Sequence, residues 1–335
     1  MLSDFRNDKS KFGVSLGYGT TKSGDSTYDS FSLNVRVKPT RWLQFTASLP
    51  YASVDASDKI RDMYDIDNDG NLDPRTRELK YSNDGAGDLV LMGWVNALYP
   101  LFNAGEKPVE ADPDAAYKAL SDIGDPALFV GLGVKLPTGA EDAFDQGKYV
   151  IDRESSDSTI LSKSDGILPT RFQMGTGTTD PLFGMVYQQS LGRFQPSIGV
   201  SYQISGGENS VGYERSDRFG VNASLKYTAY SSDDCSKQFH LSGGVSWVNS
   251  LDDDYDHSLD PKIFKDGAAN PRYGLEKGTV HGSKGSYTFY SIGLGYDISR
   301  SLSVNASLTL PLSGSDEEST YSFDRSFGLS LSARF

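Results

Sequence analysis

The chain has 335 residues, with 32 Lys and Arg against 45 Asp and Glu, a net charge of -13. No basic stripe exists, which excludes nucleic acid as a partner. The mean hydropathy is -0.44, and no apolar run approaches the roughly 20 residues that a membrane-spanning helix needs. A β-barrel escapes that exclusion, because only every second residue of its strands meets lipid. One cysteine, Cys235, excludes an internal disulfide, and no Cys-x-x-Cys-His attaches a haem. The opening MLSDFRNDKSKFG has no apolar signal segment, so the expectation is a mature or re-engineered form with Met1 an addition.

Alternation begins early. Phe12, Val14, Leu16 and Tyr18 take one face, and Gly13, Ser15, Gly17 and Gly19 the other, because successive strand side chains point to opposite sides. A second strand sets Phe31, Leu33, Val35 and Val37 against Ser32, Asn34, Arg36 and Lys38. After the tight Pro39-Thr40-Arg41 turn, a third carries Leu43, Phe45, Ala47, Leu49 and Tyr51 on one face.

The acidic segment 53–87 reads as a long loop containing Asp65-Ile66-Asp67-Asn68-Asp69-Gly70-Asn71-Leu72-Asp73. Carboxylates at alternate positions converge on one hard cation, and Gly70 permits the sharp turn, so Asp65, Asp67, Asp69, Asn71 and Asp73 are candidate ligands of a structural Ca2+. Thr76 stands where an EF-hand places its bidentate Glu; the loop resembles the shorter calcium loops of dockerin-like or thrombospondin-type repeats, with Glu78 as a substitute. An acidic, solvated loop is the alternative.

Residues 88–99 form a fourth strand whose phase the pattern does not fix. The connection 100–125 is long where a short turn is expected, and Asp112 to Leu120 reads as a short periplasmic helix with Asp112 as N-cap and Pro113 as first helical residue. It is expected to rest on the rim, the alternative being a plug or a partner-docking helix. The fifth strand shows Leu128, Val130, Leu132, Val134 and Leu136 over Gly131, Gly133 and Lys135. A sixth, near 181–191, is again ambiguous in phase. Strands near 194–204, 219–227, 239–247, 290–296 and 302–310 repeat the alternation. The last ends on Phe327, Leu329, Leu331, Ala333 and Phe335, and such a terminal aromatic resembles the C-terminal signature of bacterial outer-membrane proteins.

This makes 12 strands, short turns alternating with long acidic loops near 53–87, 138–180 and 250–286. The fold class is all-β: a single transmembrane antiparallel up-and-down β-barrel spanning 1–335 in the bacterial outer membrane. Lipid and lipopolysaccharide are its expected surroundings, the latter sharing divalent ions with acidic loops such as Asp252 to Asp256. The inferred lumen carries Arg36, Lys38, Lys135, Lys226 and Arg334 among polar Gln44, Gln195, Gln203, Asn222 and His240. These cations either favour anions and polarise hydroxyl groups or pair with Asp88 and Asp297 to stabilise the wall. An enzyme is not expected. A barrel phospholipase needs Ser, His and Asn on neighbouring lipid-facing strands, whereas His240 falls on the lumen face and His257 and His281 lie in a loop.

Gly85-Ala86-Gly87-Asp88, Gly131-Leu132-Gly133-Val134-Lys135-Leu136-Pro137-Thr138-Gly139 and Gly175-Thr176-Gly177-Thr178-Thr179-Asp180-Pro181 carry a resemblance over roughly residues 85 to 335. They are similar to the outer-membrane transporter family once labelled meta-pathway of phenol degradation. The resemblance implies a barrel admitting small, often hydrophobic or aromatic compounds, and it transfers no catalytic residues. The function expected is therefore passive uptake of small molecules. The alternative is a structural or assembly protein with a plugged lumen that docks a surface or periplasmic partner. For the metal, a calcium titration is expected to distinguish the wild type from Asp67→Ala/Asp69→Ala; identical titrations would end the calcium expectation.

Overall fold

The computed structural model describes residues 11–23, 26–40, 42–64, 73–99, 126–140, 150–152, 174–209, 213–233, 235–251, 254–256, 277–279, 285–314 and 324–335. In chain order the strands are β1 (Phe12–Ser23), β2 (Ser26–Val37), β3 (Leu43–Tyr64), β4 (Asp73–Ala86), β5 (Leu89–Asn96) and β6 (Ala127–Leu136). Then come β7 (Val150–Asp152), β8 (Asp180–Gln188), β9 (Phe194–Gln203), β10 (Tyr213–Glu214), β11 (Arg218–Ser231) and β12 (Gln238–Ser250). The last are β13 (Asp254–Asp256), β14 (Lys277–Thr279), β15 (Gly285–Ser299), β16 (Leu302–Gly314) and β17 (Arg325–Arg334).

Twelve of them close a barrel: β1, β2, β3, β5, β6, β8, β9, β11, β12, β15, β16 and β17. Each pairs antiparallel with the wall strand before and after it, and β1 pairs with β17 from Gly13↔Arg334 to Lys22↔Arg325. The seam is sealed at its lower end by Phe12 and Phe335, whose backbones exchange N–H···O=C bonds of 3.2 and 2.8 Å. The 12 strands of the wall are those that the alternation predicts. The helix expected at 112–120 lies outside the described residues.

Two differences from the sequence reading have physical causes. Residues 53–87 are not simply a loop: β3 runs on to Tyr64 and pairs with β4 as far as Tyr64↔Asp73. Beyond the lipid neither face has to be apolar, so that part of the strand carries no period-2 signal. β7 adds to the free edge of β4, and β10, β13 and β14 form a small separate sheet. The second difference is phase. β5 turns Met92 and Trp94 inward, and β8 turns Leu182 and Val186 inward. Through the middle of these strands both faces are apolar, which is why alternation did not orient them.

Leu16, Leu132, Ile292 and Leu294 are each more than half exposed, at 57%, 62%, 55% and 54%. A continuous apolar exterior of this kind is stable only against lipid. Aromatic residues mark its margins: Trp42, Tyr230 and Phe335 at the end bearing the termini, and Tyr18, Phe31 and Tyr51 toward the other. Leu225→Arg and Leu308→Arg, on the lipid face, should each cost about 2–4 kcal/mol in refolding titrations. Asn222→Arg and Ser307→Arg, facing the lumen, should be far milder; equal damage from both pairs would contradict this orientation.

Candidate functional site

The lumen is unequal from side to side. Over β5, β6 and β8 its wall is apolar: Trp94, Ala127, Phe129 and Val186 form one buried cluster with Met92 packed against it. The ladder explains how an indole fits there. Trp94 pairs with Gly131, and Gly131 pairs with Gly184, so two glycines lie in line beside the ring. A Cβ at Gly131 would stand 2.5 Å from Trp94 Cε3, and one at Gly184 would stand 2.6 Å from Trp94 Cη2. Gly133 makes the same room for Met92, whose Cγ would be 2.5 Å away. Gly131 and Gly133 of the GLGVKLPTG segment are thus seats for side chains from the neighbouring strand.

Facing this wall is a polar one. Ser201, Gln203, Arg218 and Asn222 border, with Met92, Trp94, Leu182, Val186 and Val248, a lumen cavity of about 390 Å³. A small molecule resting there has an apolar surface on one side and hydrogen-bonding groups on the other, the usual composition of a small-molecule site.

Above the apolar wall, at the outer end of β6 and β8, two carboxylates gather three outer segments. Asp88 accepts from the backbone N–H of Gly139 (3.0 Å), and from the N–H (2.8 Å) and hydroxyl (2.7 Å) of Thr176. Asp180 accepts from the Thr178 hydroxyl (2.7 Å), the Gln203 amide (2.6 Å) and the N–H of Gly206 (3.1 Å). Lys135 lies between the two, in contact with Asp180 and with its Nζ 3.7 Å from Asp88. The Thr138 hydroxyl donates to the Gly87 carbonyl (3.1 Å) and accepts from the Leu89 N–H (2.8 Å). The Asn209 amide donates to the Thr176 carbonyl (3.2 Å). The three glycine-rich motifs, up to 88 residues apart, therefore meet in one node.

Arg36 pairs with Gly13 and Lys226 with Gln195, so both stand toward the periplasmic end, whereas Lys135 is at the outer end. These three cations do not share a level. Gln203 is drawn into the Asp180 node, and Asn222 is exposed on the lumen side. At the periplasmic end Asp297 is 3.0 Å from His240 Nε2 and 4.0 Å from Arg334, and the other ring nitrogen of His240 is 3.2 Å from the Thr228 hydroxyl. Thr228 and His240 are both buried in the wall, an arrangement that ties β11, β12 and β15 together. Asp65, Asp67, Asp69 and Asn71 lie outside the described residues, and Asp73 opens β4. Sequence reasoning missed Met92, Trp94, Phe129 and Val186; the glycines opposite them were the available signal.

No protein family and no curated protein matches the chain. Solved structures do resemble it. It is similar to an outer-membrane channel from Pseudomonas putida F1, at 11% identity over 97% of this chain and 96% of that one, with a TM-score of 0.56. It is also similar to the CymD monoaromatic hydrocarbon channel, at 10% identity over 97% and 89% of the two chains, TM-score 0.46. A Pseudomonas aeruginosa FadL homologue gives 11% identity over 97% and 75%, TM-score 0.43. At these identities the likeness is one of fold. A closed up-and-down barrel with an apolar exterior, aromatic margins and a largely polar interior is an outer-membrane β-barrel, and the chain is a protein of the bacterial outer membrane.

Gly131→Ala is expected to destabilise the barrel by about 1–3 kcal/mol, because the added methyl displaces the indole. In a Trp94→Ala background it should cost little, and a double-mutant cycle in refolding free energy should show that coupling. Additive effects would contradict the seating.

Proposed function

We propose that the barrel is a passive channel for small molecules that present an apolar or aromatic surface. The observation that carries this reading is the divided lumen: Met92, Trp94, Leu182 and Val186 on one side of a cavity, Ser201, Gln203 and Asn222 on the other. The apolar wall offers a permeant dispersion contacts and the polar wall replaces part of its hydration, so neither water nor permeant is held tightly. Conduction of this kind requires binding weak enough to release. The fold shared with a Pseudomonas putida channel supports the reading, as does the resemblance of the glycine motifs to the transporter family once labelled meta-pathway of phenol degradation.

Proteoliposome swelling tests it. Wild-type barrels are expected to admit small phenolic compounds faster than sugars of similar size. Met92→Asn/Trp94→Asn should reduce that ratio several-fold while leaving sugar entry nearly unchanged. A ratio unaffected by the substitutions would contradict the role of the apolar wall. Vesicles impermeable to every solute would favour a structural or assembly barrel instead.

A further inference from the structure

We propose that Lys135 sets the width of the outer mouth, by balancing the two buried carboxylates to which three outer segments are tied. This rests on the channel reading. The segments are 138–140 after β6, 174–179 before β8 and 205–209 after β9, and each has a hydrogen bond into Asp88, Asp180 or a residue held by them. They also interlock sterically. A Cβ on Gly175 would lie 2.3 Å from the Gly139 carbonyl oxygen, and one on Gly206 would lie 2.2 Å from the Thr179 carbonyl oxygen. Such backbone contact leaves the segments no room to slide past one another, so they stay docked or release together.

What holds them is a charge arrangement rather than an apolar core. Lys135 is 8% exposed, Asp88 7% and Asp180 1%. Lys135 is in contact with Asp180 and close to Asp88, and Arg215 adds a second positive charge near enough to act on Lys135. Without Lys135, both carboxylates would remain buried and lose its counter-charge, and removing one member of a buried ion pair is strongly destabilising. The barrel wall cannot relieve this, because β6 and β8 are paired along their length. Undocking of the outer segments can, since it brings both carboxylates to water. Lys135 therefore acts as a positioning residue for the mouth, which differs from a cation that attracts permeants.

The test uses the full-length barrel, with folding checked by heat-modifiable gel mobility. In a Cys235→Ser background carrying Met174→Cys, maleimide labelling reports release of the 174–179 segment; the Met174 side chain otherwise packs over Gly85. Lys135→Met is expected to raise the labelling rate by about tenfold or more, since opening lets water replace the counter-charge that Lys135 supplied. It should also raise the largest neutral sugar admitted by proteoliposomes. Lys135→Met/Asp180→Asn removes one charge of each sign and should return both readouts toward wild type. Unchanged labelling in Lys135→Met would overturn the proposal. Faster labelling with an unchanged size limit would overturn it too, and leave the channel reading intact. Faster labelling in vesicles that admit no solute in any variant would overturn both.

Discussion

In hydrocarbon there is no water to accept a backbone hydrogen bond, so every amide of a membrane-spanning wall must find its partner within that wall. Here the requirement is met by the return of β17 to β1, a ladder of ten register pairs from Gly13↔Arg334 to Lys22↔Arg325. Closure dictates most of the remaining architecture. It fixes one face of every strand toward lipid and the other toward the lumen. It also forces side chains from twelve strands to share a limited interior, so inward positions alternate between large residues and glycine or serine.

The interior is where the chain departs from a uniform polar lining. Trp94 and Met92 spend lumen volume on apolar surface, and the glycines at 131, 133 and 184 supply that volume on the adjacent strands. The same region carries the Lys135 node at its outer end, so the apolar wall and the docked outer segments lie over the same strands, β5, β6 and β8. Elsewhere most lumen positions are small or polar, with Val54, Val248 and the stacked Tyr287 and Phe289 as apolar exceptions, and His240, Asp297 and Arg334 knit the periplasmic end.

How much of this was legible depends on where lipid lies. Lipid imposes apolarity at every second residue, and that made the twelve wall strands readable, down to Phe327 through Phe335. It also marks where reading stopped. The outer half of β3 and all of β4 stand beyond the lipid, and a run such as Ser57-Asp58-Lys59 shows no strand pattern although it is paired. β5 and β8 resisted orientation because Met92, Trp94, Leu182 and Val186 on their lumen side are as apolar as the residues facing lipid. The motifs around Asp88, Lys135 and Asp180 stood out as strings of glycine, threonine and acid, but their contact spans up to 88 residues and no local pattern encodes it. Of the two sequence readings of the lumen cations, Lys135 follows the pairing one, with Asp88, while its contact with Asp180 and the tether the two carboxylates make were not foreseen.

Whether the lumen is a passage can be read from single-channel recording in a planar bilayer. A purified barrel acting as a passive channel will give discrete, ohmic current steps whose size grows with salt concentration. Insertion without any current step, in barrels shown to be folded and spanning, would contradict the account.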